Sequence, residues 1–145
     1  MYLPVILEKE REEKESEKPL PTGSERILFI DDEPALVVIG GQILERLGYK
    51  VSSKTSSIEA LELFRGKPDK FDLVITDMTM PHMTGDTLAQ ELMQIRSDIP
   101  VILCTGHSRL VSEEKAKDMG IKAFVMKPLS TRVMAETVRK VLDEK

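Results

Sequence analysis

Asp72-Leu-Val-Ile-Thr76 is a short apolar run that ends on an acidic residue, Asp77. A run of this length reads as a strand buried on both faces, the kind that parallel sheets contain. Arg26-Ile-Leu-Phe-Ile30 has the same form and ends on Asp31 and Asp32. Ala123-Phe-Val-Met126 ends on Lys127, with Pro128 behind it. In an open parallel sheet the strand ends on one edge converge on a crevice, so residues about 50 positions apart can share one pocket. Three carboxylates there repel each other unless a cation sits among them. Oxygen ligands alone, with no Cys or His at these strand ends, favour a hard ion such as Mg²⁺. A lysine on the far wall suits an anion such as a phosphoryl group.

From Glu25 onward, apolar runs alternate with amphipathic segments five times. The expected strands are 26–30, 50–54, 72–76, 100–104 and 123–126, and the expected helices 34–47, 57–65, 85–96, 111–119 and 131–143. Pro34 suits a first helical position. Leu36, Ile39, Ile43, Leu44 and Leu47 form an apolar stripe, and Gly48 suits a left-handed stop. Leu88, Leu92 and Ile95 stripe the third helix, and Gly120 can close the fourth. Ser56 with Glu59 fits a capping box, and Ser130 can cap the last helix with Leu129 and Met134 as its staple. The alternation predicts an α/β domain with a doubly wound, five-stranded parallel sheet.

The bulk numbers agree with one compact domain: 145 residues, 41% of them hydrophobic. A net charge of −4 gives no support for nucleic-acid binding. A single cysteine, Cys104, rules out an internal disulfide and suits a reducing, cytoplasmic setting. It sits in Val101-Ile-Leu-Cys104 and reads as a small buried hydrophobe. No apolar run approaches the roughly 18–20 residues of a membrane helix, so no direct membrane contact is expected. Met1–Leu7 lacks the basic lead and cleavage site of a signal peptide. Glu8–Lys18 is almost wholly charged and Pro19–Ser24 is rich in breakers, so 1–24 reads as a separate segment ahead of a domain at 25–145.

Four pieces of the chain, in order, resemble the receiver domain of bacterial two-component signalling. They are Ile30-Asp-Asp-Glu-Pro34, Asp72-Leu-Val-Ile-Thr-Asp-Met-Thr-Met-Pro-His-Met-Thr-Gly85, Pro100-Val-Ile-Leu-Cys-Thr-Gly106 and Phe124-Val-Met-Lys-Pro128. The resemblance implies a flavodoxin-like (βα)5 fold with strand order 2-1-3-4-5. It implies that Asp77 is the phosphoacceptor, supported by Lys127 and the hydroxyl of Thr105. Asp31, Asp32, Asp77 and the backbone carbonyl of Thr79 would hold Mg²⁺ or Mn²⁺. Phosphoryl transfer asks mainly for positioning and charge stabilisation, which such a set supplies.

Family positions also suggest a switch at Thr105 and Phe124, and lifetime tuning by Thr79 and His107. Many relatives carry tyrosine where this chain has Phe124. The output face would be the fourth helix, fifth strand and fifth helix, and self-association through it is expected. His82 falls in the Pro81-His-Met83 turn and reads as solvated. Met78, Met80 and Met83 read as adaptable packing.

Tyr2-Leu-Pro-Val-Ile6 resembles the last strand of a histidine-kinase ATP-binding domain. The expectation is therefore the C-terminal receiver of a hybrid sensor histidine kinase, whose phosphodonor is that kinase core or a histidine phosphotransfer protein. A stand-alone single-domain regulator and a docking-only receiver are the alternatives. The isolated domain would not be a conventional turnover enzyme. A phosphatase of the haloacid dehalogenase type would place an acid where Thr79 stands. A flavodoxin-like cofactor binder would need a Ser/Thr/Gly loop where Asp31-Asp32-Glu33 stands.

Overall fold

The structure is a computed structural model that describes residues 20–106, 117–118, 120–127 and 129–144. Five strands, β1 (Arg26–Ile30), β2 (Lys50–Lys54), β3 (Leu73–Asp77), β4 (Val101–Thr105) and β5 (Ala123–Met126), form one parallel sheet in the order β2-β1-β3-β4-β5. Three helices, α1 (Pro34–Arg46), α2 (Ser57–Gly66) and α3 (Gly85–Ile95), and a C-terminal helix (Thr131–Asp143) cover it. The segment expected as a fourth helix, 111–119, lies outside the described residues apart from Lys117 and Asp118.

The apolar runs are continuous because alternate residues serve opposite faces. Ile27, Phe29, Leu73, Ile75, Ile102 and Cys104 pack with α1 and the C-terminal helix. Leu28, Ile30, Val74, Val101 and Leu103 pack with α2 and α3. The end signals act as expected: Pro34 opens α1, and the Ser56 and Ser130 hydroxyls accept from the amides of Glu59 and Val133. Gly48 and Gly120 take φ of +100° and +97°.

Two details differ from the sequence reading. β3 and β4 each lie one residue later than the expected 72–76 and 100–104, so Asp77 and Thr105 are the last residues of their strands. The backbone ladder continues to those residues because Asp77 pairs with Cys104, and Thr105 with Met126. On α1, the buried residues are Val37, Gly40, Gly41, Ile43 and Leu44, while Ile39 is 48% exposed. The glycines let the helix backbone approach the sheet: a Cβ on Gly40 would lie 2.0 Å from the Phe29 ring. Close approach thus sets the rotation of α1, overriding the larger side chain.

Candidate functional site

Asp31, Asp77 and Lys127 are each fixed by backbone pairing at the carboxyl edge of the sheet. Asp31 directly follows β1; its amide donates to the Lys54 carbonyl at 3.2 Å, and its Oδ1 accepts from the Glu33 amide at 3.0 Å. Asp77 ends β3, and the next amide, of Met78, donates to the Cys104 carbonyl at 3.0 Å. Lys127 directly follows β5, and its amide donates to the Thr105 carbonyl at 3.0 Å. Strand pairing thus brings the tips of Asp31, Asp77 and Lys127 together, and Asp32 joins them from the loop after β1.

The Lys127 ammonium lies 2.9 Å from Asp77 Oδ1 and 3.0 Å from Asp31 Oδ2. Asp31 and Asp77 are only 1% and 5% exposed, so this bridge is shielded from water. One carboxylate oxygen from each of Asp31, Asp32 and Asp77 lies within 4.8 Å of the other two. Three carboxylates and one ammonium leave a formal charge of −2 at the site.

That imbalance marks the electrostatics. Burial holds the Asp77 carboxyl above its ordinary range, and the charges of Asp31 and Asp32 add to the effect, against the attraction of Lys127. Burial works against the charge on Lys127, but its bonds to Asp77 and Asp31 prevail and hold its pKa above the usual lysine value. Burial pushes the Cys104 thiol up to about 12, so it is a protonated core residue.

The donor set fits a hard divalent cation. All three donors are oxygens, and the charge deficit equals that of one such ion. Oxygens sharing an ion at about 2.1 Å lie at most ~4.2 Å apart, so the three carboxylates need only a small inward shift to share one.

The remaining expected residues divide. Thr105 is buried, and its hydroxyl donates to Met126 Sδ at 3.6 Å. Phe124 is partly buried against the α2–α3 side of the core. Thr79 is exposed on the loop after β3. His107 lies outside the described residues. His82 is exposed, with φ of +70°, in a three-residue turn closed by the Met83 amide donating to the Pro81 carbonyl at 2.8 Å.

Two contributors escaped the sequence reading. Gly85 closes the loop after β3: its amide donates to the Met78 carbonyl at 2.8 Å. Met126 receives the Thr105 hydroxyl. Period-two alternation from Phe124 puts Met126 on the same sheet face, but only the β4–β5 register sets it beside Thr105.

A family model described as "Response regulator receiver domain" matches residues 27–139. The chain belongs to the response regulator receiver family. It is a receiver domain of two-component signalling. Among curated proteins, this receiver is 31% identical to "Sensor kinase CckA" of Brucella abortus, over 99% of this chain and 16% of that protein. It is 30% identical to "Transcriptional regulatory protein GlrR" of Escherichia coli, over 81% of this chain and 26% of that protein. The receiver thus spans 16% and 26% of the length of these two relatives. A solved response regulator receiver domain protein from Clostridium thermocellum matches with TM-score 0.79 at 30% identity, over 83% of this chain and 95% of that one. No helix among the described residues is long and apolar enough to cross a membrane.

Proposed function

We propose that Asp77 accepts a phosphoryl group from a phosphohistidine donor. An Asp77 oxygen forms a bond to phosphorus, the P–N bond breaks, and the imidazole leaves with the bonding electron pair. The carrying observation is the Lys127 ammonium, 2.9 Å from Asp77 Oδ1 and bridging to Asp31. It stands where it can leave a carboxylate and pair with an incoming phosphoryl oxygen. Desolvation around Asp77 strengthens every such charge interaction.

Asp31, Asp32 and Asp77, with the backbone carbonyl of Thr79, would hold Mg²⁺ or Mn²⁺. When bound, the ion neutralises charge on the carboxylates and on the transferred group. The Thr105 hydroxyl then donates to a phosphoryl oxygen, and Phe124 repacks on the same sheet face as Thr105 turns. The output face comprises residues 111–119, β5 and the C-terminal helix, and self-association through it follows. Thr79 and His107 tune how long the modified state lasts.

We assign residues 25–145 to the receiver and 1–24 to the tail and linker of a preceding kinase ATP-binding domain. The match to the sensor kinase supports this, because at 99% of the chain it takes in the segment before residue 25, whereas the match to the transcriptional regulator covers 81%. The partner is then the kinase core of the same protein or a histidine phosphotransfer protein.

The test is incubation with Mg²⁺ and acetyl phosphate, read by intact mass, with Asp77→Asn alongside. A single phosphoryl adduct on the parent alone supports the assignment. A parent that takes up none is a docking module.

A further inference from the structure

The geometry points to Met126 as an oxidisable latch on the Thr105 hydroxyl: peroxide converts its sulfur to a sulfoxide that holds Thr105 away from Asp77. This inference rests on the reading of Thr105 as the residue that donates to the phosphoryl group.

Thr105 and Met126 are register partners on β4 and β5, so their side chains leave the same face of the sheet side by side. The Thr105 hydroxyl, buried at 2% exposure, donates to Met126 Sδ at 3.6 Å. A hydroxyl carries one proton and serves one acceptor at a time. While it serves the sulfur it cannot serve a phosphoryl oxygen at Asp77. A thioether is a weak acceptor, so the resting latch releases easily.

Met126 is also the most exposed methionine among the described residues. It is 39% exposed, whereas Met80 and Met134 are buried and Met78, Met83 and Met93 are only partly open. Susceptibility to oxidation follows exposure, and the product is polar and chiral. A hydroperoxide supplies the oxygen: the sulfur lone pair attacks, the O–O bond breaks, one oxygen stays on sulfur, and water or an alcohol leaves. Sulfur is oxidised and the peroxide reduced by two electrons. The sulfoxide oxygen accepts far better than the thioether, so the same Thr105 proton is held more tightly. Phe124, two residues before Met126 on the same strand face, then repacks beside a polar neighbour. A methionine sulfoxide reductase would restore the starting state.

The experiment treats the full chain with hydrogen peroxide, locates the sulfoxide by peptide mapping, and follows Thr105 by NMR of its γ-methyl and amide. Phosphoryl uptake from acetyl phosphate with Mg²⁺ is measured in parallel. Oxidation at Met126 ahead of Met78, Met80, Met83, Met93 and Met134, a shift of the Thr105 signals, and uptake slowed about fivefold, the worth of one net hydrogen bond, are expected. Met126→Leu should make uptake indifferent to peroxide, and Met126→Gln should slow it without peroxide. Thr105 signals and uptake rates that ignore oxidation at Met126 overturn the latch, as does Met126 reacting no sooner than Met78, Met80, Met83, Met93 and Met134. A reduced parent chain that takes up no phosphoryl group overturns instead the underlying reading of Asp77; the Thr105 shift on oxidation still reports on the latch itself.

Discussion

A Cβ placed on Gly85 would lie 2.2 Å from the carbonyl oxygen of Asp77 and 3.0 Å from its carbonyl carbon. The first residue of α3 is thus packed directly on the backbone that carries the Asp77 carboxylate. Neither partner is a flexible side chain, so the contact cannot be relieved locally. Gly85→Ala should cost about 1–3 kcal/mol by overpacking. It should also slow phosphoryl uptake by displacing Asp77. Urea denaturation and intact-mass kinetics on the same preparation check both.

The raised pKa of Asp77 has a definite sign. Its folded carboxyl binds a proton more tightly than the unfolded one, whose value is near 3.8. Without metal, the domain therefore loses stability as pH rises through the interval between the unfolded and folded pKa values. Asp77→Asn should be more stable than the parent above that interval and equal to it below. Urea midpoints in chelator, from acidic to neutral pH, test this; a parent more stable than Asp77→Asn at neutral pH would refute it.

Divalent cation should reverse that order. At 100 times its dissociation constant, Mg²⁺ should stabilise the parent by about 2.7 kcal/mol. Asp32→Asn leaves both Lys127 ion pairs in place, so it should fold normally yet lose most of the gain. Thermal melts with and without Mg²⁺ give the answer.

A second pH effect resides far from the site. Arg139 donates to both oxygens of Glu25, at 3.1 and 2.7 Å, tying the approach to β1 onto the C-terminal helix. The bond to Arg139 holds the Glu25 carboxyl below its ordinary 4.5, against the opposing effect of burial. The stabilisation is thus present above about the unfolded value and lost as pH falls through the lowered folded one. Glu25→Gln should cost about 1 kcal/mol at neutral pH, because both side chains are less than a third exposed. The difference should fade below pH 4.5.

The fold was legible in the sequence because its signals are local. Buried parallel strands write themselves as unbroken apolar runs, and Pro34, Gly48, Ser56 and Ser130 mark helix ends through their own backbone chemistry. The convergence of Asp31, Asp77 and Lys127 was legible for the same reason: each ends or directly follows a strand, and parallel topology does the rest. Three features needed coordinates. The rotation of α1 depends on Gly40 fitting against Phe29, a contact between elements. The pressure of Gly85 on the Asp77 carbonyl depends on the path of a loop. The pairing of Thr105 with Met126 depends on register, which nothing in either strand alone determines.

On the proposed function, Asp77 itself carries the phosphoryl group. Acyl phosphates are reduced by borohydride to the alcohol, which turns a phosphorylated aspartate into homoserine. Treating the protein with acetyl phosphate and Mg²⁺, then borohydride, and sequencing its peptides by mass spectrometry gives the site without reliance on a variant. Homoserine at position 77 and nowhere else is the predicted result. Homoserine at 31 or 32, or a phosphoryl adduct with residue 77 still aspartate, would contradict it.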